Sequence, residues 1–299
     1  MTLARRVAGA PISWGVCEVP GWGHQLRAGR VLSEMRSLGL RATELGPEGF
    51  LPDASARALL ADNELELVAG FVPAVLHDEA ELRAGIEVVA ASADLIAGLG
   101  GRTLVLAASS GREGYEANER LDPEAWSALA RGIDLVAELA ADRGLRVALH
   151  PHHGTVVERL DDVERLLSMS EVGLCLDTGH VMMGGGDPLA LARGAATRVV
   201  HVHLKDVSAA LAERVAAGRL GYRDAVRTGL YRPLGDGDLD LVGVLRVLEE
   251  SGYDGWYVLE QDEVLDHEPE RASGPVQDAR RSLAFLERAW EEVGSAARG

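Results

Sequence analysis

A single (β/α)8 barrel spanning residues 1–299 is the fold class this sequence predicts. Three observations predict it. The chain has 299 residues and no Pro/Gly/Ser-rich linker or composition break to divide it, and few folds other than α/β barrels run that long as one domain. Eight short apolar runs alternate with amphipathic stretches from one end to the other. The runs are mostly continuous in apolar residues, as strands covered on both faces should be.

In chain order, the first run is VAGAPISWG near residue 10. A helical pattern follows in GRVLSEMRSLGL, where Val31, Met35 and Leu38 share a face and Gly39 suits the position just past a helix end. ATELG near 44, LELVAGFV near 68 and TLVLAAS near 105 supply the next three strands. The stretch from Asp122 opens with Asp-Pro, runs through Ile133, Val136 and Leu139, and stops at Gly144. RVALHPH near 149 and VGLCLDTG near 175 are strands five and six. Between the latter and strand seven, RVVHVHLKD near 202, Asp187-Pro188 repeats the Asp-cap and Pro-first signature. The segment 207–234 exceeds a normal connection and predicts a helix plus an ordered loop over the barrel mouth. Asp240 caps a helix carrying Val242, Leu245 and Leu248, GWYVLEQD near 258 is strand eight, and a last helix runs from about Val276 to Val293.

The charge balance narrows the partners. With 30 Lys+Arg against 47 Asp+Glu the formal charge is −17, a surface that repels phosphate backbones, so nucleic acid is not the expected partner. Two cysteines, Cys17 and Cys175, make no disulfide framework and suit a reducing, cytoplasmic setting. The start, MTLARRVAGAPISWG, lacks the long apolar stretch of a signal peptide, and no apolar run reaches membrane-spanning length. A homo-oligomer is compatible with the fold, but no patch in the sequence identifies its face.

Polar residues at the ends of apolar strands carry the chemistry. Six of the nine histidines lie between His150 and His203. His150 and His152 point to one face of a strand, as do His201, His203 and Lys205 on the seventh. Asp177 and His180 close LCLDTGH, Glu44 ends ATELG, and Glu260 lies in WYVLEQD. In a barrel these C-terminal strand ends surround one mouth. Imidazoles and carboxylates gathered there suit one divalent ion such as Mn²⁺, Co²⁺, Zn²⁺ or Fe²⁺, which acidifies the carbon beside a carbonyl.

The bland alternatives apply residue by residue. A lone strand-end histidine is more often a hydrogen-bonded structural residue than a ligand; the concentration on three consecutive strands argues otherwise for the set. His201, one inward layer deeper than His203, fits a satisfied core residue as well as a ligand, and His153 fits a structural one. Glu44 fits either a group supporting a ligand or a substrate contact. Trp14, ahead of Trp22, is the candidate aromatic wall for a sugar-like ring. GGGDP at 184–188 reads as a tight turn rather than a phosphate cradle, and Ser109-Ser110-Gly111 as a hydrogen-bonding rim.

The segments CLDTGH, HVHLKD, PLGDGDLDL and GYDGWYVLEQD resemble the xylose-isomerase-like barrel superfamily. APISWGVCEVPGWG, RATELGPEGFLP and LHPHHGT are similar to its inosose dehydratase-containing branch, so the resemblance spans nearly the whole chain. It implies metal ligands at the ends of strands five to eight: His150, Asp177, His203 and Glu260, with His152 an alternative to His150. Most sugar isomerases and epimerases of the superfamily carry a glutamate at the strand-five position. His150 there removes half of the carboxylate pair that passes a proton between substrate faces. Related dehydratases pair the strand-five ligand with a His two residues on, and carry a Lys two residues past the strand-seven His; His152 and Lys205 match those positions. The DNA-repair branch of the superfamily needs more ligands than can be placed here.

The resemblance thus implies loss of water from a β-hydroxy ketone on a small polyol or sugar ring. His152 or Lys205 would take the α-proton, Glu260 would double as a proton carrier, and Trp14, Glu44 and His180 would contact substrate. A lysine base needs a lowered pKa, and Asp206 would oppose that if it pointed inward. An isomerase or epimerase with the same metal chemistry is the first alternative. A non-catalytic sugar-binding barrel, which predicts no metal, is the second.

Overall fold

Eight parallel strands close into a barrel in the computed structural model, which describes residues 6–112, 114–115 and 120–296. Residues 1–5, 113, 116–119 and 297–299 of the expected domain lie outside the described residues. The staves are β1 (Val7–Gly9), β2 (Ala42–Glu44), β3 (Glu66–Ala74), β4 (Thr103–Ala108), β5 (Arg146–Leu149), β6 (Gly173–Asp177), β7 (Val199–Leu204) and, after the small pair β8 (Asp206–Val207) and β9 (Tyr231–Arg232), β10 (Tyr257–Leu259). Barrel order follows the chain, and β10 pairs β1 to close it.

Alternation along each strand explains both the apolar runs and the site. Outward residues such as Leu104, Leu106, Leu149, Leu174 and Leu176 are buried under the helices in the main core cluster. Inward residues are small at depth, with Ala8, Ala42, Val68, Val105, Ala148, Cys175 and Val258 forming a separate cluster. Two positions further on, the same inward row turns polar: Ala42 leads to Glu44, Ala148 to His150, Cys175 to Asp177, and Val258 to Glu260. A period of two therefore aims each of these side chains into the barrel at its C-terminal end.

Helix ends fall where the local signals put them. Asp122 caps α4 (Pro123–Ala141) by accepting from Ala125 N–H, and Asp187 caps α7 (Pro188–Ala195) through Leu189 N–H. Asp240 caps α10 (Leu241–Glu250), and α11 covers Pro275–Ala296. α1 (Ala28–Ser37) buries Val31 and Met35, and Gly39 follows with φ 86°, a conformation glycine adopts without strain. The first run is shorter than expected as a strand: Pro11 lacks an N–H, and the chain turns at Pro11–Trp14 into a 3-10 helix. The 207–234 segment folds as β8, α8 (Ala209–Ala216), α9 (Tyr222–Arg227) and β9, beside the mouth. GGGDP is a turn, with Gly185 at φ 81°. No helix of the described residues is long and apolar enough to cross a membrane.

Candidate active site

A cavity lies at the C-terminal end of the barrel, bordered by Phe71, Tyr115, His150, His152, Glu260 and Asp262. At its base His150, Asp177, His203 and Glu260 bring donor atoms to within 4.8 Å of one another. Asp177 does two jobs. Its Oδ1 accepts from His180 N–H at 2.7 Å, capping α6 (Thr178–Met183), while Oδ2 faces His150 Nε2 at 3.2 Å and His203 Nδ1 at 3.5 Å. His203 Nδ1 also lies against Glu260 Oε2, yet both atoms are buried without an aligned hydrogen bond among the described residues. Two imidazoles and two carboxylates converging this way are a donor set that fits a cation between them.

His152 is beside this cluster, not in it. Its Nδ1–H donates to His153 carbonyl at 2.8 Å, which leaves Nε2 as the proton-accepting nitrogen. Its ring packs at 3.9 Å from that of His180, whose Nε2 is 2.8 Å from Lys205 Nζ. Burial, followed by His150 and Lys205, holds His152 well below the usual histidine range; burial, followed by His152 and Lys205, does the same to His180.

Lys205 is fully enclosed and meets Asp262 at 3.0 Å, Asp177 at 3.3 Å and Glu260 at 3.5 Å. Burial alone would lower its pKa, but Asp177, Asp262 and Glu260 outweigh burial and raise it well above the lysine range. These carboxylates favour the ammonium form of Lys205, the opposite direction from the one a lysine base needs. Asp206 points away, accepting from the N–H groups of Val207, Gly235, Gly237 and Leu239 at 2.8–3.2 Å. It fixes the 233–239 turn and does not oppose Lys205.

Residues 32–289 match the family model described as the xylose isomerase-like TIM barrel. The chain belongs to that family. It is 36% identical over 269 residues to a rhizopine catabolism protein, MocC, of Rhizobium meliloti, covering 87% of this chain and 82% of the relative. It is 32% identical over 275 residues to an inosose dehydratase of Geobacillus kaustophilus, covering 88% and 89%. Among solved structures, an L-ribulose 3-epimerase superposes with a TM-score of 0.73 at 18% identity over 98% and 97% of the two chains, a likeness of fold.

Within this xylose isomerase-like barrel, the expected residues do not all face the cavity. Trp14 does not. It is fully buried in the outer core, and its indole N–H donates to Glu34 of α1 at 2.9 Å, so it is not the aromatic wall. Phe71 and Tyr115 are, Phe71 with its ring edge-on to His150 at 5.7 Å and Tyr115 at 4.5 Å from the His152 ring. Ser109 and Ser110 are not among the residues bordering the cavity, and their hydroxyls accept from Gly111 and Arg112 N–H within their own turn. His153 pairs with Glu158 at 2.7 Å, the structural role expected of it. His201 donates to Glu44. The sequence reasoning missed Asp262, two residues past Glu260 and thus on the same face of WYVLEQD, a spacing that could have found it. Asp262 also accepts from Tyr222 OH at 2.8 Å, and Tyr222 OH lies 3.0 Å from Tyr231 OH, so α9 and β9 both reach the site.

Proposed function

We propose that this protein is a divalent-metal-dependent dehydratase acting on a neutral, polyhydroxylated cyclic ketone of the inosose class. The observation that carries the proposal is the four-ligand cluster at the cavity base with His152 and Lys205 beside it. His150, Asp177, His203 and Glu260 would hold the ion, which would polarise a ketone and a neighbouring hydroxyl and so acidify the carbon next to the carbonyl. His152 Nε2, its other nitrogen committed to a backbone carbonyl, takes that α-proton. The C–H electrons form the carbon–carbon double bond, and the bond from the β-carbon to its hydroxyl oxygen breaks. Lys205, an ammonium with carboxylates on several sides, gives the departing hydroxide its proton, and the products are water and an enol.

Charge favours a free substrate over a phosphorylated one. Glu18, Glu44, Glu260 and Asp262 border the cavity, and apart from Lys205, which is paired with Asp262 at its base, no Arg or Lys stands there among the described residues. The inosose dehydratase relative supports the ring class. Histidine at position 150, in place of a carboxylate, favours elimination over epimerisation, which needs a proton carrier on each substrate face.

The test is metal analysis of the purified protein, EDTA stripping and re-addition, and incubation with inososes and ketoses. An absorbing product lighter by one water, formed only with metal, is expected. A product of unchanged mass would make the protein an isomerase, and no metal with no turnover would make it a binding barrel.

A further inference from the structure

We propose that Glu44 is a positioning residue that fixes which nitrogen of His203 faces the cluster; this rests on the metal-site reading above. β2 is three residues long, and its register with β3 slips between Thr43 and Glu44, so that Glu44 sits opposite Ala69. The unpaired residue of the slip, Val68, is on β3, so β2 keeps its alternation and Glu44 points inward as Ala42 does. From there Glu44 reaches across the barrel, over 150 residues along the chain, to β7. One oxygen, Oε1, lies 2.8 Å from His201 Nε2 and 3.1 Å from His203 Nε2.

An ionised carboxylate only accepts, so both histidines present Nε2–H to it. For His203 this places a proton on Nε2 at the Glu44 edge, while Nδ1, on the opposite edge, faces Asp177 and Glu260, so the proton a cation would displace is the one on Nδ1. A ring nitrogen binds a cation through its lone pair, so the swapped tautomer would put a proton where the ion belongs. His201, one layer deeper and barely exposed, donates to the same oxygen and keeps Glu44 from swinging towards solvent. A buried histidine with no path to the cavity thereby gains a role in the site.

The metal-stripped full-length protein, titrated with Zn²⁺ against a chelating dye, tests this. Glu44→Leu should bind Zn²⁺ about 10–100-fold more weakly, the usual cost of losing a carboxylate behind a ligating histidine. Glu44→Gln, whose amide oxygen still accepts one N–H, should lose less, and it carries the test if the leucine variant does not fold. In the Zn²⁺-loaded wild type, ¹⁵N NMR should find the His203 proton on Nε2. Wild-type Zn²⁺ affinity in the variants together with a raised KM would make Glu44 a substrate contact and overturn the proposal, as would a His203 proton on Nδ1. Wild-type protein that binds no metal would instead remove the functional proposal beneath it.

Discussion

Lys205→Met separates the charge role of this lysine from its proton role. In the folded chain the ammonium sits 3.0 Å from Asp262, 3.3 Å from Asp177 and 3.5 Å from Glu260, all but sealed from water. At an effective dielectric near 20, one pair at 3 Å interacts by on the order of 5 kcal/mol. Taking away one partner of such a buried group typically costs about 3–5 kcal/mol, because the carboxylates are left facing one another. Methionine fills most of the volume, so the loss is electrostatic rather than a cavity effect. The metal-free variant should therefore melt well below wild type in a urea titration. A bound cation supplies the missing positive charge, so the loaded variant should recover much of the difference, and metal should bind as tightly as to wild type or more so. Turnover should nonetheless fall by about 10²–10⁴, the usual contribution of a general acid. Turnover within a few-fold of wild type would refute the proton role; an unchanged metal-free melt would refute the buried pairing.

Three further outcomes follow from other contacts. Asp206→Ala leaves four N–H groups without their shared acceptor and should destabilise the fold by roughly 2–4 kcal/mol in urea, with faster amide exchange over 233–239. Glu263 is pushed up to about 7 by burial and then by Asp278, so the folded chain keeps a proton that the unfolded chain releases near 4.5. Stability should accordingly fall as pH rises between those values, and Glu263→Gln should flatten the urea midpoint across that window, a difference on the order of 3 kcal/mol. Gly154 has φ 77°, and an added Cβ would lie 2.6 Å from the Tyr115 carbonyl oxygen. Gly154→Ala should displace Tyr115 and raise KM more than it lowers kcat.

The barrel was legible because both faces of each strand are buried, which writes every stave as an apolar run. Its inward row then breaks the pattern at one end, and that break marks Glu44, His150, Asp177, His203, Lys205 and Glu260 among the candidates without any knowledge of distance; the choice of four ligands among them came from the family resemblance. Trp14 was misplaced for the opposite reason: its partner Glu34 lies a turn and a helix away, and no local period tells an outward indole from an inward one. The roof was harder still. Tyr115 comes from the connection after β4 and Tyr222 and Tyr231 from the one after β7, and only the closed fold brings Tyr115 within 5.8 Å of Tyr222. The charge state of Lys205 was also hidden, since it depends on three carboxylates of which only Asp262 went unremarked in the sequence.

The contact of Tyr222 with Asp262 divides the active site into two inheritances. The floor is built from the last residues of the staves and those directly after them, next to the closed hydrogen-bonded wall, so a change there risks the fold. The roof is built from connections, and it touches the floor through hydroxyl groups. A lineage of such barrels can therefore exchange the molecule it accepts by rewriting its connections, while the reaction performed on that molecule passes down unchanged.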